Sequence, residues 1–312
     1  MTTPRIAAAI CTYNRYDLLG EAIESCLKQD LDPSEFEIIV VDNSPDHAAA
    51  ESFGQAYREH ANLTYLVERT PGLSNARNVA ARNSSAPIIA YLDDDAIARP
   101  GWLRAYLAVY DSFGPAVNVA GGRINPIWDV PRPSWLSDRD LGYVSVVDWG
   151  GSARILKEHE WLAGANISFR RAALLEIGGF DTGLGRKGPE LHLLSNEESE
   201  VIERLTENGG LALYVPQAEV DHLVDRRRLT QEWFRRRAAW QAVSDWVADP
   251  AMADRAEGAL NKALDYLLRQ PPRYRSISGL YREIDDPEAF REQVYAIYNF
   301  TIATLAGLKS VP

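Results

Sequence analysis

Three consecutive carboxylates, Asp93-Asp94-Asp95, follow directly on the apolar run Ala86-Pro87-Ile88-Ile89-Ala90-Tyr91-Leu92. An apolar run that stops abruptly at charge reads as a buried strand ending at the carboxyl edge of a sheet, where open α/β sheets bind their ligands. Carboxylates one residue apart can converge on a hard divalent ion, and Mg²⁺ or Mn²⁺ accepts such oxygens while keeping positions for phosphate. The triplet would equally serve as an acidic turn capping a helix that begins near Pro100, because helix starts favour Asp. A second acidic group, Asn196-Glu197-Glu198, opens a helical pattern. Glu198 shares a stripe with Val201, Ile202 and Leu205 and is expected to face the protein body, with Glu197 about 100° away around the helix. Ser195-x-x-Glu198 also fits a capping box, in which Glu198 would only tie down the helix start.

Such groups need a frame, and strand and helix signals alternate through the first half. Strands are expected at Ile6–Cys11, Phe36–Val41, Leu63–Val67 and Ile88–Leu92, and helices at Leu18–Leu27, Ala48–His60 and around Ser74–Arg82. The pattern predicts an α/β fold with a mainly parallel central sheet flanked by helices and joined by right-handed crossovers. After Pro100 come a helix, a strand near Ala116–Ala120 and an irregular Pro- and Trp-rich passage, Asn125–Leu136. A second region, Tyr143–His222, holds strand signals at Val144–Val147, Leu162–Phe169 and Leu211–Val215, a Gly-rich loop at Gly178–Gly188 and a helix opening near Ser195. From Leu229 the pattern is helical, broken at Pro271-Pro272.

Composition narrows the function. At 312 residues the chain can bury a full core, and its formal net charge of −11 removes the driving force for general nucleic-acid binding. The two cysteines, Cys11 and Cys26, are too few for a disulfide framework or a cysteine-rich zinc site and suit a reducing cytoplasm. No charged leader with a cleavage site precedes the first strand, so secretion is not expected. The longest late uncharged stretch, Gln293–Leu308, falls short of the roughly 20 apolar residues of a spanning helix, which leaves a surface-lying amphipathic helix open. Arg226-Arg227-Arg228 and Arg235-Arg236-Arg237 flank Trp233-Phe234. These arginines could reach a diphosphate, an acidic acceptor or anionic lipid, or form a solvated face paired with nearby acids.

The order of several motifs carries a resemblance. Ala9-Ile10-Cys11-Thr12-Tyr13-Asn14-Arg15, Ile39-Val40-Val41-Asp42-Asn43-Ser44 and Gly72-Leu73-Ser74-Asn75-Ala76-Arg77-Asn78 come first. Leu92-Asp93-Asp94-Asp95, Gly164-Ala165-Asn166, Gly178-Gly179-Phe180-Asp181, Asn196-Glu197-Glu198 and His222 follow. As an ordered set, across roughly residues 5 to 240, this resembles the family 2 glycosyltransferases of the GT-A, nucleotide-diphospho-sugar transferase fold. The resemblance implies an inverting, metal-dependent enzyme that moves a sugar from a nucleotide diphosphate, UDP by expectation, to a hydroxyl of a glycan, lipid or small molecule. With no spans and no Gln-x-x-Arg-Trp signature of processive synthases, addition of one residue at a time is expected.

By the same resemblance Asp42 recognises the base, and Thr12, Asn14, Arg15, Asn75, Arg77, Asp93 and Asp94 edge the nucleotide sugar. Asp95, with His222 and Asp93, would hold Mn²⁺ or Mg²⁺. Glu198 is implied as general base with Glu197 beside it, although the family usually places a Glu-Asp pair there. Trp161 and Asn166 fall on the acceptor side. Plainer roles stand beside these: Asp42 as a turn cap before Asn-Ser-Pro, Arg77 as a solvated helix charge, His222 as a structural histidine. Trp128, Trp135, Trp149 and Trp161 could stack on sugars or fill the core. A GT-A domain over 1–248 is expected, with a nucleotide-binding half, 1–124, and an acceptor-side half, 125–248, before a helical extension, 249–312. Expected partners are a nucleotide-sugar donor and a saccharide or lipid-linked acceptor, with no nucleic acid. Self-association through the C-terminal helices and a place at the inner face of the membrane stay open.

Two other functions compete. A sugar-phosphate nucleotidyltransferase would carry a Gly-rich basic loop after its first strand, and Cys11–Arg15 has no glycine. A catalytically inactive carbohydrate-binding protein of the same fold has no need of the intact acidic triplet.

Overall fold

The computed structural model describes residues 3–186, 193–207 and 209–309. Contacts divide the chain into two compact units. The first comprises Met1–Ile127, Ser145–Gly188 and Glu197–Leu223, and the second Trp128–Val144, Pro189–Asn196 and Val224–Pro312.

In the first unit, β1 (Ile6–Thr12), β2 (Phe36–Asp42), β3 (Leu63–Val67) and β4 (Ile88–Asp93) pair in parallel, in the order β3-β2-β1-β4. The β1 and β4 runs are buried almost throughout, as expected of strands covered on both faces. Covering them are α1 (Tyr16–Leu27), α2 (His47–Gln55) and α3 (Leu73–Asn83), the crossovers a parallel sheet requires. A three-residue strand, β5 (Ala96–Ala98), precedes α4 (Trp102–Phe113). Beyond β4 the sheet continues with β6 (Val117–Trp128), β7 (Arg154–Ile155), β8 (Asn166–Arg170) and β9 (Leu211–Val224). Here the pairings β4–β8, β6–β8, β5–β9 and β7–β9 are antiparallel. Two helices, α5 (Arg171–Glu176) and α6 (Glu197–Glu207), complete the unit.

Several boundaries move from the sequence expectation. Strand β6 runs four residues, Asn125 to Trp128, into the passage expected to be irregular, and Val147 makes only an isolated bridge to Ile124 where a strand was expected. Helix α2 ends at Gln55 rather than His60. The end of the Gly-rich loop, Lys187-Gly188, lies outside the described residues.

The second unit is helical, with α7 (Gln231–Ala248), α8 (Ala256–Arg269) and α9 (Pro287–Lys309). Partly buried Trp135 packs on its core, with its ring centroid 5.3 Å from that of Phe234 and 4.9 Å from that of Phe290. That packing explains why 128–144 and α7 group with the C-terminal helices, whereas periodicity alone suggested a boundary at residue 248. The basic segment is largely paired within this unit. Arg226 binds Asp129 at 2.7 Å, Arg227 binds Asp225 at 2.6 Å, and buried Arg235 binds Glu283 at 2.8 Å. Gln231 clasps the backbone of Ile284 through both its carbonyl and its amide, fixing the turn before α9.

Candidate functional site

The triplet occupies the tight turn between β4 and β5, so it caps no helix; α4 begins only at Trp102. Antiparallel pairing of β5 with β9 sets Ala96 opposite His222, and Leu223 donates its amide to the Asp95 carbonyl. The ladder thereby carries a histidine distant in sequence onto the carboxylates. His222 Nε2 lies 3.1 Å from Asp95 Oδ1 and 3.9 Å from Asp93 Oδ2. Asp93, Asp95 and His222 each present a ligand atom within 4.8 Å of the others, forming the one such group among the described residues. His222 is buried and Asp93 is half-exposed, so the cluster opens to solvent at Asp93. Two carboxylates and an imidazole, open on one side, fit a divalent ion that must also take phosphate oxygens, and the nitrogen donor suits Mn²⁺ better than Mg²⁺.

Asp94 points away from that cluster. It accepts from the Thr12 hydroxyl at 2.7 Å and pairs with Arg15 at 3.1 Å, and Arg15 also holds Asp95 at 2.8 Å. Burial raises the Asp94 carboxyl above the usual carboxylate range, against the pull of Arg15. Thr12, Arg15 and Asp94 thus brace the turn from within. Asn14 is exposed at positive φ and donates its backbone N–H to the Ser44 hydroxyl, and the Asn75 side chain donates to the Thr70 carbonyl.

Asp42 is fully buried at the end of β2. One oxygen accepts from the Ser44 amide at 2.9 Å and from its hydroxyl, and the other from the Tyr65 hydroxyl at 2.7 Å. The turn-capping role suggested by Asn-Ser-Pro is therefore present.

Arg77 is not a solvated charge. It is 2% exposed, with its guanidinium 5.3 Å from the Phe180 ring centroid and 6.0 Å from that of Tyr91. Asn78 fixes that lid: its side chain donates to the Phe180 carbonyl and accepts from the Phe180 amide, each at 2.8 Å. Gly179, at positive φ, leaves the room Asn78 needs. Arg77 bonds Glu198 at 2.9 Å and Glu197 at 3.2 Å, and lies 3.8 Å from Asp93. One cation therefore joins the glutamate pair to the aspartate turn. Gly164 leaves the space for it, since a Cβ there would overlap both the Arg77 guanidinium and the Glu198 carboxylate.

The burial order of the two glutamates reverses the sequence expectation. Helix α6 begins at Glu197, and its buried ridge runs Glu197, Val201, Leu205. The Glu197 side chain is 5% exposed and that of Glu198 16%. Burial and the neighbouring Glu198 charge push the Glu197 carboxyl up, with Arg77 opposing. No capping box forms: the Ser195 amide donates to the Ser244 hydroxyl instead.

Asn166 lies in the core rather than at an acceptor surface. It accepts from Trp102 at 2.8 Å and from Tyr106, and donates to the Arg123 and Ala218 carbonyls, tying α4 to three strands. Trp161 is partly buried and meets Trp149 edge-on at 6.2 Å. The aromatic lid on Arg77 and the Thr12–Asp94 bond escape sequence reading, because each joins residues far apart in the chain.

The family model for glycosyl transferase family 2 matches residues 8–172, more than half of the chain. The chain belongs to this family. It is a glycosyltransferase of the GT-A fold. Over 310 residues it is 29% identical to the glucosyl-dolichyl phosphate glucuronosyltransferase of Haloferax volcanii, covering 97% of this chain and 95% of that protein. It is 27% identical to the validoxylamine A glucosyltransferase of Streptomyces hygroscopicus subsp. limoneus, covering 60% of this chain and 47% of that protein. Among solved structures, the mannosyltransferase PcManGT from Pyrobaculum calidifontis, in complex with GDP-Man and Mn²⁺, gives a TM-score of 0.56 at 20% identity, covering 99% and 76% of the two chains. S. aureus TarS 1-349 with UDP-GlcNAc gives 0.55 at 16%, covering 96% and 91%. No described helix is long and apolar enough to cross a membrane.

Within this family 2 enzyme, Arg77 is expected to be a stability determinant as well as a site residue. Arg77→Met leaves the buried Glu197 carboxylate, and the partly exposed Glu198 beside it, without their cation, which costs about 3–5 kcal/mol when one partner of a buried pair is removed. Burial already raises the Glu197 carboxyl, and without Arg77 to oppose it the folded-state value rises further, so its ionisation opposes folding and the penalty grows as pH rises through that value. Thermal melts should therefore show a large deficit at mildly alkaline pH that narrows in mild acid. A variant melting like the wild type at both would deny Arg77 this role.

Proposed function

We propose that this glycosyltransferase performs metal-assisted, inverting transfer of a single sugar from a nucleotide diphosphate to an acceptor hydroxyl. The observation that carries it is the convergence of two acidic groups on one buried arginine: Asp93 beside Asp95 and His222, and Glu198 beside Glu197. Asp93, Asp95 and His222 would hold the cation. When bound there, a divalent ion supplies Lewis-acid stabilisation to the charge gathering on the departing diphosphate.

The remaining work falls to the chain itself. Glu198 takes the proton from the acceptor hydroxyl as that oxygen attacks the anomeric carbon opposite the leaving group. Its partial exposure favours it over the enclosed Glu197, whose carboxylate steadies Arg77. Arg77 in turn aims the Glu198 carboxylate. Arg15 and Thr12 keep the acidic turn in shape. Uridine is the preferred base, and the Haloferax relative's name supports a lipid-linked saccharide as acceptor.

One displacement by one base inverts the anomeric centre, and no second carboxylate is assigned here as nucleophile. An α-linked donor should give a β-linked product, read from the proton coupling at the anomeric position by NMR. Retention from the same donor would discard this mechanism. A thermal-shift panel of sugar nucleotides with Mn²⁺ identifies the donor, since a ligand at about 100 times its dissociation constant adds about 2.7 kcal/mol of stability.

A further inference from the structure

The second unit carries a surface that glycosyl transfer does not use. Helix α8 buries Ala259, Ala263, Tyr266 and Leu267, yet Leu260, Leu264 and Leu268 stay between 40% and 62% exposed. Spaced by four residues, these leucines form one ridge on the helix. The following segment adds Ile277 and Tyr281, both more than half exposed. Single exposed hydrophobics are ordinary, but three leucines in one ridge of a helix mark a contact surface.

Charge identifies what it contacts. The chain has a net charge of −11, whereas residues 255–282 hold six Lys and Arg against two acids, Glu257 and Asp265. Arg273 stacks on Tyr274 at 4.7 Å and Arg275 donates to the Gln270 carbonyl. Both are exposed, and neither forms an ion pair with a carboxylate among the described residues, whereas Arg255 and Arg269 pair with Asp249 at 3.9 Å and Glu292 at 3.3 Å. Lys262 donates to the Tyr295 hydroxyl at 3.2 Å and forms no ion pair with a carboxylate among the described residues. A symmetric dimer through this patch would set the cationic flank against its own copy, which like charges oppose. An anionic lipid surface satisfies both parts, taking the leucines below the headgroups and the arginines among the phosphates.

We propose that the Leu260–Leu264–Leu268 ridge, with the cationic flank around Arg273 and Arg275, docks the protein on anionic lipid bilayers. The surface is read from its own residues and does not depend on the donor or acceptor assigned above. The test is co-sedimentation of the full chain, without donor or metal, with phosphatidylcholine vesicles and with vesicles of phosphatidylcholine and phosphatidylglycerol in equal parts. Binding is expected to the mixed vesicles only, and to weaken with added salt. Leu260→Ser with Leu264→Ser and Leu268→Ser, and separately Arg273→Glu with Arg275→Glu, should each lower it by about tenfold or more. All five side chains are exposed, so both variants should melt as the wild type does, and both should bind donor nucleotide unchanged. The proposal fails if the wild type ignores mixed vesicles, binds neutral ones equally, or binds as well in both variants. It fails also if light scattering finds a dimer that the leucine variant dissolves.

Discussion

Glu198→Gln is expected to cut turnover by about 10² to 10⁴, the usual contribution of a positioned general base, while leaving donor affinity and melting temperature close to wild type. Gln keeps an oxygen that accepts from Arg77 at the place where Glu198 does so now, at 2.9 Å. It cannot take a proton. Single-turnover kinetics at saturating donor and acceptor isolate that loss from binding. Glu197→Gln makes the informative comparison, because Glu197 is the more enclosed carboxylate and shares the same guanidinium. Its replacement should change stability more than chemistry. If Glu197→Gln collapses turnover and Glu198→Gln does not, the base has been assigned to the wrong member of the pair. Two active variants would move it elsewhere.

The second large effect concerns Asp95. Calorimetry should find UDP binding that requires Mn²⁺ or Mg²⁺ and is lost on chelation, because the diphosphate and the Asp93/Asp95 carboxylates repel without a cation between them. Asp95→Asn should weaken the metal-dependent binding by about tenfold or more, the scale on which lost metal-site partners act. Arg15 would then keep Asp94 as its charged partner, at 3.1 Å, so the turn should stay folded. Equal UDP affinity with and without metal in the wild type would end the cation hypothesis.

How much of this was legible in the sequence depends on where each residue finds its partners. Strands β1, β2 and β4 are nearly continuous apolar runs, and their hydropathy alone locates them. Strand β5 is only Ala-Ile-Ala, too short to signal, yet it makes the turn that presents the carboxylates. The far half of β9 does alternate, with Ala218, Val220, His222 and Val224 buried. That period places His222 inside but names no partner for it. The glutamate pair was misjudged in burial because a stripe through Val201 and Leu205 continues equally well to 197 or 198. Arg77, out of sight until the fold forms, is what lets an acid occupy the inner position. Asn166 shows the same limit, since nothing local says that its amide will meet two carbonyls and two aromatic donors inside the core.

The pairing of Ala96 with His222 also governs what evolution can change here. Side chains alternate faces along a strand, so a shift of one residue in that ladder would turn the imidazole away from the carboxylates. Changes of length in the loops between these two positions leave that pairing intact provided the ladder closes in the same frame. A single-residue indel inside β5 or the end of β9 would therefore separate His222 from Asp93 and Asp95 without replacing any of the three.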